Sequence, residues 1–109
     1  MSEVVVMVVA QAKPGRGEDA LARFQALAVQ THAEEGCRLF ALHRAAGDPE
    51  RIVLVERWAS RAALDEHLSA PYLLEFRRTG ADLWAVPTQI MALDAAPCGD
   101  PVKGALAGG

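Results

Sequence analysis

The sequence predicts an α+β domain in which four antiparallel strands carry helices on one face, in the chain order βαββαβ. Three observations point to it. Val4 to Ala10 is a β-branched apolar run, residues from about Glu18 to Glu35 carry helical periodicity, and two strand-like runs, Cys37 to Arg44 and Glu50 to Trp58, flank a turn-rich segment. With 109 residues the chain has room for one domain and a moderate core. Hydrophobic residues make up 51% and charged residues 23%, a globular rather than a disordered balance.

Val4 to Gln11 is continuous in its apolarity, which suits a strand covered on both faces. Pro14, Gly15 and Gly17 end it, and Glu18 with Asp19 then place negative charge where a helix N-terminus favours it. In the helix that follows, Ala20, Leu21, Phe24, Leu27, Ala28 and Thr31 recur at intervals of three and four and form one inward stripe. Gly36 stops this helix. Cys37 to Arg44 then reads as a strand ending at Ala45-Ala46-Gly47-Asp48-Pro49, and Glu50 to Trp58 returns as the second arm of a hairpin. Placing Arg38 opposite Glu56 and Arg44 opposite Glu50 sets unlike charges side by side, whereas an offset of one residue sets Arg38 against Arg57 and Arg44 against Arg51. Unlike pairs contribute roughly 0.2–1 kcal/mol each and like pairs cost, so the first register is expected. It puts Phe40, Leu42, Ile52, Leu54, Glu56 and Trp58 on one face.

Ser60 can cap a helix running to about Ser69, with Leu64, His67 and Leu68 on one side. Pro71 opens a further helical segment, in which Tyr72, Phe76, Thr79 and Leu83 recur at four, three and four and Gly80 weakens the later part. A final strand, about Trp84 to Leu93, contains Pro87, which cannot donate to a ladder and marks an edge or a bulge. Residues 1–94 thus form the domain, and residues 95–109 form a tail rich in Gly, Ala and Pro with no core of its own. The assembled order is that of the ferredoxin-like plait.

The charges exclude one class of partner. A net charge of -3, with basic residues interleaved among acids, offers no stripe to track a phosphate backbone, so nucleic acid is not expected. The longest apolar run, Val4 to Ala10, is far shorter than the roughly 20 residues of a bilayer-spanning helix, so no membrane partner is expected. Glu3 precedes that run in place of a basic segment and no cleavage site follows it, so a secretory signal is not expected and the compartment is read as the cytoplasm. Cys37 and Cys98 fit no metal-ligand spacing and are read as thiols, with no metal site implied. The helices can cover only one sheet face. Val5, Met7, Val9, Val53, Val55 and Ile90 are assigned to the other, and an apolar patch of that extent marks an interface. The expected partner is a second copy of the chain, sheet against sheet.

The stretch Glu35-Gly36-Cys37, followed by Phe40, Asp48-Pro49, Glu56-Arg57-Trp58, Ala63-Leu64 and His67, resembles the antibiotic biosynthesis monooxygenase family, in particular its small quinol monooxygenase-like members. The resemblance runs over roughly residues 3 to 94. It implies a dimeric ferredoxin-like protein of the α/β-barrel type with a cleft between helices and sheet. In such a cleft a phenolic or quinol substrate would be oxidised by dioxygen without metal, flavin or other added cofactor.

The residues themselves suggest the same cleft. Trp58, His67, Tyr72 and Phe76 all point between helices and sheet, with Phe40 on the face of Trp58, and such a lining suits a small flat aromatic substrate. An electron-rich phenolate can pass an electron to dioxygen, so the protein must deprotonate the substrate and hold the anion in a dry site. His67 is the expected base, and Phe40, Trp58, Tyr72 and Phe76 are the expected substrate-binding residues. Taken alone, a histidine on an apolar helix face is commonly a core residue bonded to a carbonyl, and the aromatic positions are spaced as ordinary core. His32 and His43 are read as solvated. Glu56 faces inward, so it must be paired or carry a shifted pKa, and Arg38 is its expected partner.

The chain contains no asparagine. The haem-degrading branch of the superfamily uses one, which weighs against haem degradation. Two other function classes fit the same plait: an isomerase of a small carbonyl compound with His67 as acid and base, and a ligand-binding or stress-response module without chemistry.

Overall fold

A computed structural model describes residues 3–106. Residues 1, 2 and 107–109, the outer ends of the expected domain and tail, lie outside the described residues. The chain runs β1 (Val4–Gln11), α1 (Gly17–His32), β2 (Cys37–Arg44), β3 (Arg51–Trp58), α2 (Arg61–Leu68), α3 (Pro71–Thr79), a 3-10 turn (Ala81–Leu83) and β4 (Gln89–Leu93). The four strands form one antiparallel sheet in the order β2-β3-β1-β4, the ferredoxin-like arrangement, so the expected fold class holds. No helix among the described residues is long and apolar enough to cross a membrane.

Register fixes which residues share a face. Val6, Val8 and Ala10 stand opposite Glu56, Leu54 and Ile52, and Phe40 stands opposite Glu56 on the other side of β3. These are the inward positions, and they pack with Phe24 and Leu27 of α1, Leu64 of α2 and Leu73 of α3 into one core. Two capping features form as the sequence suggests: Ser60 Oγ accepts the amide of Ala63 at 3.1 Å, and Pro71 opens α3 where its missing N–H costs nothing.

The hairpin register differs from the expected one by two residues. Phe40 faces Glu56, Leu42 faces Leu54 and Arg44 faces Ile52, so neither charge pair forms. An even shift preserves the faces, and Phe40 and Trp58 share the inner side as expected. The cause lies at both ends of the hairpin. Arg38 is the extra residue of a bulge between Cys37 and Leu39, and it is exposed. Glu50 is drawn instead to the N-terminal end of α1, accepting the amides of Gly17 at 3.0 Å and Gly15 at 3.4 Å, while Arg44 pairs with Glu18 at 2.7 Å. Unpaired amides at a helix N-terminus favour a carboxylate, and here they outweigh a cross-strand ion pair. A Cβ on Gly17 would collide with the Glu50 carboxylate and the Pro49 carbonyl, so only glycine admits this approach.

The ends of several elements also differ. Helix α1 stops at His32, and the amides of Ala33 and Glu34 turn back onto Gln30 and Thr31. Helix α3 stops at Thr79 before Gly80, and Leu83 lies in the separate 3-10 turn. Trp84 makes only an isolated bridge to Ala12, and regular pairing begins at Gln89, beyond Pro87. Ile90 stands opposite Val8 and therefore faces the helices, which corrects its assignment to the outer face. Met91 and Leu93 take that place, opposite Met7 and Val5. With Val9, Val53, Val55, Leu39 and Ala41 they form an apolar outer face, most of it half-buried, with Met91 40% exposed. His43 is exposed, and His32 is exposed with Nε2 bonded to the Phe40 carbonyl at 3.0 Å.

Candidate active site

Between the helix layer and the sheet lies a cavity of about 560 Å³. That volume falls in the usual range for small-molecule sites. Its walls are mainly apolar, with Val8, Leu54 and Ile90 from the sheet and Phe24, Leu73 and Phe76 from the helices, and the 84–88 segment contributes to the lining. The polar groups are few: Glu56 from β3, His67 from α2, Arg77 from α3 and Thr88.

His67 sits in the last turn of α2 and is only 3% exposed. Its ring stacks on that of Trp58, with centroids 4.5 Å apart and planes 31° apart, and meets the Phe40 ring edge-on at 6.0 Å. Nδ1 lies 2.7 Å from Oε2 of Glu34, which the turn after α1 brings over α2. Gly36 permits this approach, because a Cβ there would collide with that of Ala63 at the start of α2. The same Glu34 oxygen accepts a hydrogen bond from the Tyr72 hydroxyl. Tyr72 Oη also lies 3.0 Å from Thr31 Oγ1, and since the tyrosine proton is committed to Glu34, the threonine donates. Burial, reinforced by the bond to Glu34, pushes the Tyr72 phenol up to about 12. Tyr72 is therefore a fixed neutral donor.

A carboxylate on Nδ1 holds that nitrogen protonated and leaves Nε2 with its lone pair. Nε2 has no hydrogen-bond partner among the described residues, and His67 lines the cavity. The arrangement is that of a positioned general base facing an apolar chamber.

Glu56 is 4% exposed and accepts a bond from Trp58 Nε1 at 2.7 Å. The expected ion pair with Arg38 does not form, because Arg38 is the exposed residue of the bulge. Burial pushes the Glu56 carboxyl above its usual range, opposed chiefly by the Trp58 bond and by the Arg77 guanidinium.

Of the residues singled out from sequence, His67, Phe40 and Phe76 line the cavity. Trp58 and Tyr72 do not: Trp58 is fully buried beneath His67, and Tyr72 belongs to the Glu34 network behind it. Glu34, Arg77 and Trp84 were not singled out. For Glu34 a signal existed, because consecutive carboxylates at a helix C-terminus oppose the macrodipole and call for a reason.

The sequence profile of the family described as antibiotic biosynthesis monooxygenase matches residues 3–79. The Mycobacterium tuberculosis protein Rv0793, which carries a provisional monooxygenase name, is 35% identical over 92 residues, covering 84% of this chain and 90% of that one. The solved structure of Rv0793 superposes with a TM-score of 0.79 at 33% identity, over 91% of this chain and 98% of that one. The crystal structure of PA3566 from Pseudomonas aeruginosa gives 0.79 at 27% identity, over 85% and 93%.

Proposed function

Because this chain belongs to the antibiotic biosynthesis monooxygenase family, we propose that it is a monooxygenase that oxidises a quinol or polycyclic phenol with dioxygen in the cavity beside His67, with no added cofactor. The family supports a monooxygenase-like function in general. The observation that carries the finer reading is His67, held by Glu34 from behind, on the wall of a mainly apolar chamber.

His67 Nε2 takes the phenolic proton, and the apolar walls keep water from quenching the anion. The phenolate passes one electron to dioxygen, the phenoxyl radical and superoxide combine into a carbon-bound peroxide anion, and the proton held by His67 returns to it to give the hydroperoxide. Loss of water from that hydroperoxide leaves a quinone, so that phenol and dioxygen become quinone and water. Phe40 and Phe76 supply ring surface for the substrate.

Oxygen uptake with a panel of hydroquinones and polycyclic phenols tests this reading. Uptake matched by quinone formation without release of hydrogen peroxide is expected; no uptake with any phenol, together with turnover of a small carbonyl compound, would replace it with the isomerase reading. Glu34→Gln should lower turnover roughly 10- to 100-fold, the scale seen when the group orienting a functional histidine is replaced. The amide can donate to Nδ1 and thus favour the wrong tautomer. An unchanged rate in that variant would show that the carboxylate does not orient the base.

The functional unit is a homodimer joined through the outer sheet faces. Support comes from the apolar positions Met7, Val9, Val53, Val55 and Met91, which the chain's own helices leave on the far side. Light scattering at micromolar concentration should give twice the 11.6 kDa chain mass. A stable monomer would refute it.

A further inference from the structure

We propose that Glu56 is the second proton-transfer group of the cavity, a neutral carboxylic acid that gives its proton to the oxygen leaving as water. The inference rests on the monooxygenase reading for its chemistry, but the state of the carboxyl stands on geometry alone.

Glu56 projects from the middle of the sheet's inner face, opposite Val6 on one side and Phe40 on the other. It forms no ion pair among the described residues, and its one hydrogen bond, from Trp58 Nε1, goes to Oε1. Among the described residues the one fully enclosed side-chain polar atom without a partner is Arg23 Nε. Oε2 of Glu56, with no protein partner, therefore opens onto the cavity that the residue lines. An ionised carboxylate in this position would keep a bare oxygen in an apolar chamber, which costs far more than a neutral carboxyl with a proton to donate. The titratable groups that bear on it are His67 from α2, Arg77 from α3, Glu34 from the turn after α1 and Cys37 from β2. The opposite charges of Arg77 and Glu34 partly cancel, and burial remains the largest influence.

The step that needs an acid is the collapse of the hydroperoxide. His67, neutral again after returning its proton to the peroxide, removes the hydrogen from the oxygenated carbon. That C–H pair becomes the second bond of the new carbonyl, the O–O bond breaks, and the distal oxygen takes the Glu56 proton and leaves as water. Protonated His67 and ionised Glu56 then re-equilibrate, and the cycle closes with no further reagent. Two groups of opposite task on one wall divide the proton work as acid and base.

Glu56→Gln tests the assignment. The amide oxygen can still accept from Trp58, but the side chain has no proton to give. With a phenol that wild type converts, the variant should consume oxygen while quinone formed per oxygen falls at least about tenfold and the substrate hydroperoxide accumulates. Wild-type coupling in the variant would overturn the role. A second arm needs no substrate. A folded-state pKa raised above 4.5 contributes stability that is fully present below that value and lost as pH rises through the folded one. Wild type should therefore lose stability relative to Glu56→Gln as pH rises out of the ordinary carboxylate range, and a difference flat in pH would overturn the neutral carboxyl. If wild type oxidises no phenol, the monooxygenase reading fails while this arm still judges Glu56. Should the variant not fold, infrared spectra of wild type serve the same purpose. A protonated-carboxyl band that outlasts those of the other carboxyls as pH rises supports the assignment, and its disappearance together with theirs refutes it.

Discussion

His67→Ala is expected to lower turnover of a phenolic substrate by roughly two to four orders of magnitude, the usual scale for a positioned base. Binding should change far less, because the surface that holds the ring comes from Phe40, Phe76 and the aliphatic walls of the cavity. In kinetic terms kcat falls while KM stays within a few fold, the pattern of an interaction made in the transition state. The variant also removes the partner of Glu34, whose carboxylate keeps its bond from Tyr72, so the network behind the site is loosened rather than abolished. Circular dichroism and a denaturation curve separate that loosening from the chemistry. Oxygen uptake against quinol concentration is the measurement, and full turnover in the variant would remove His67 from the mechanism.

The fold was legible in the sequence because its signals are long-period and redundant. The stripe of Ala20, Phe24, Leu27 and Thr31 is buried in the structure, and alternation along Ile52 to Trp58 put the right residues inward even though the register was off by two. The register itself turned on effects that alternation does not encode. A single bulged residue, Arg38, and the capture of Glu50 by the first amides of α1 decided it, and surface charge pairs are too weak to compete. The site was legible only in part. His67, Phe40 and Phe76 belong to periodic elements, so their direction could be read. Glu34 lies in a turn after the helix has ended, where periodicity carries no information and only the folded chain brings it to His67. Trp58 and Tyr72 lie in the expected neighbourhood but behind the cavity wall rather than on it, because side-chain direction alone does not distinguish the lining of a cavity from its support.

Trp58→Ala is expected to destabilise the fold by about 3–5 kcal/mol, the cost of truncating a large aromatic side chain in a packed core. The residue is fully buried, at 0% exposure. It lies beneath the His67 ring at 4.5 Å and gives Glu56 its hydrogen bond, so its loss opens a void and strips one partner from a buried carboxyl at once. Against a total stability of about 5–15 kcal/mol for a domain of this kind, such a change removes a large share. Trp58→Phe separates the two contributions. It keeps part of the packing while deleting the Nε1–H donor, so it should cost less than the alanine variant, with about 1–3 kcal/mol of that cost from the acceptor left unpaired. Because Trp58 supports the site without lining the cavity, turnover in the alanine variant should fall through a mobile His67, even in the fraction that remains folded. Denaturant unfolding of wild type and both variants gives the three stabilities. A loss below about 1 kcal/mol in Trp58→Ala would mean that the ring is not the packed support on which His67 and Glu56 rest.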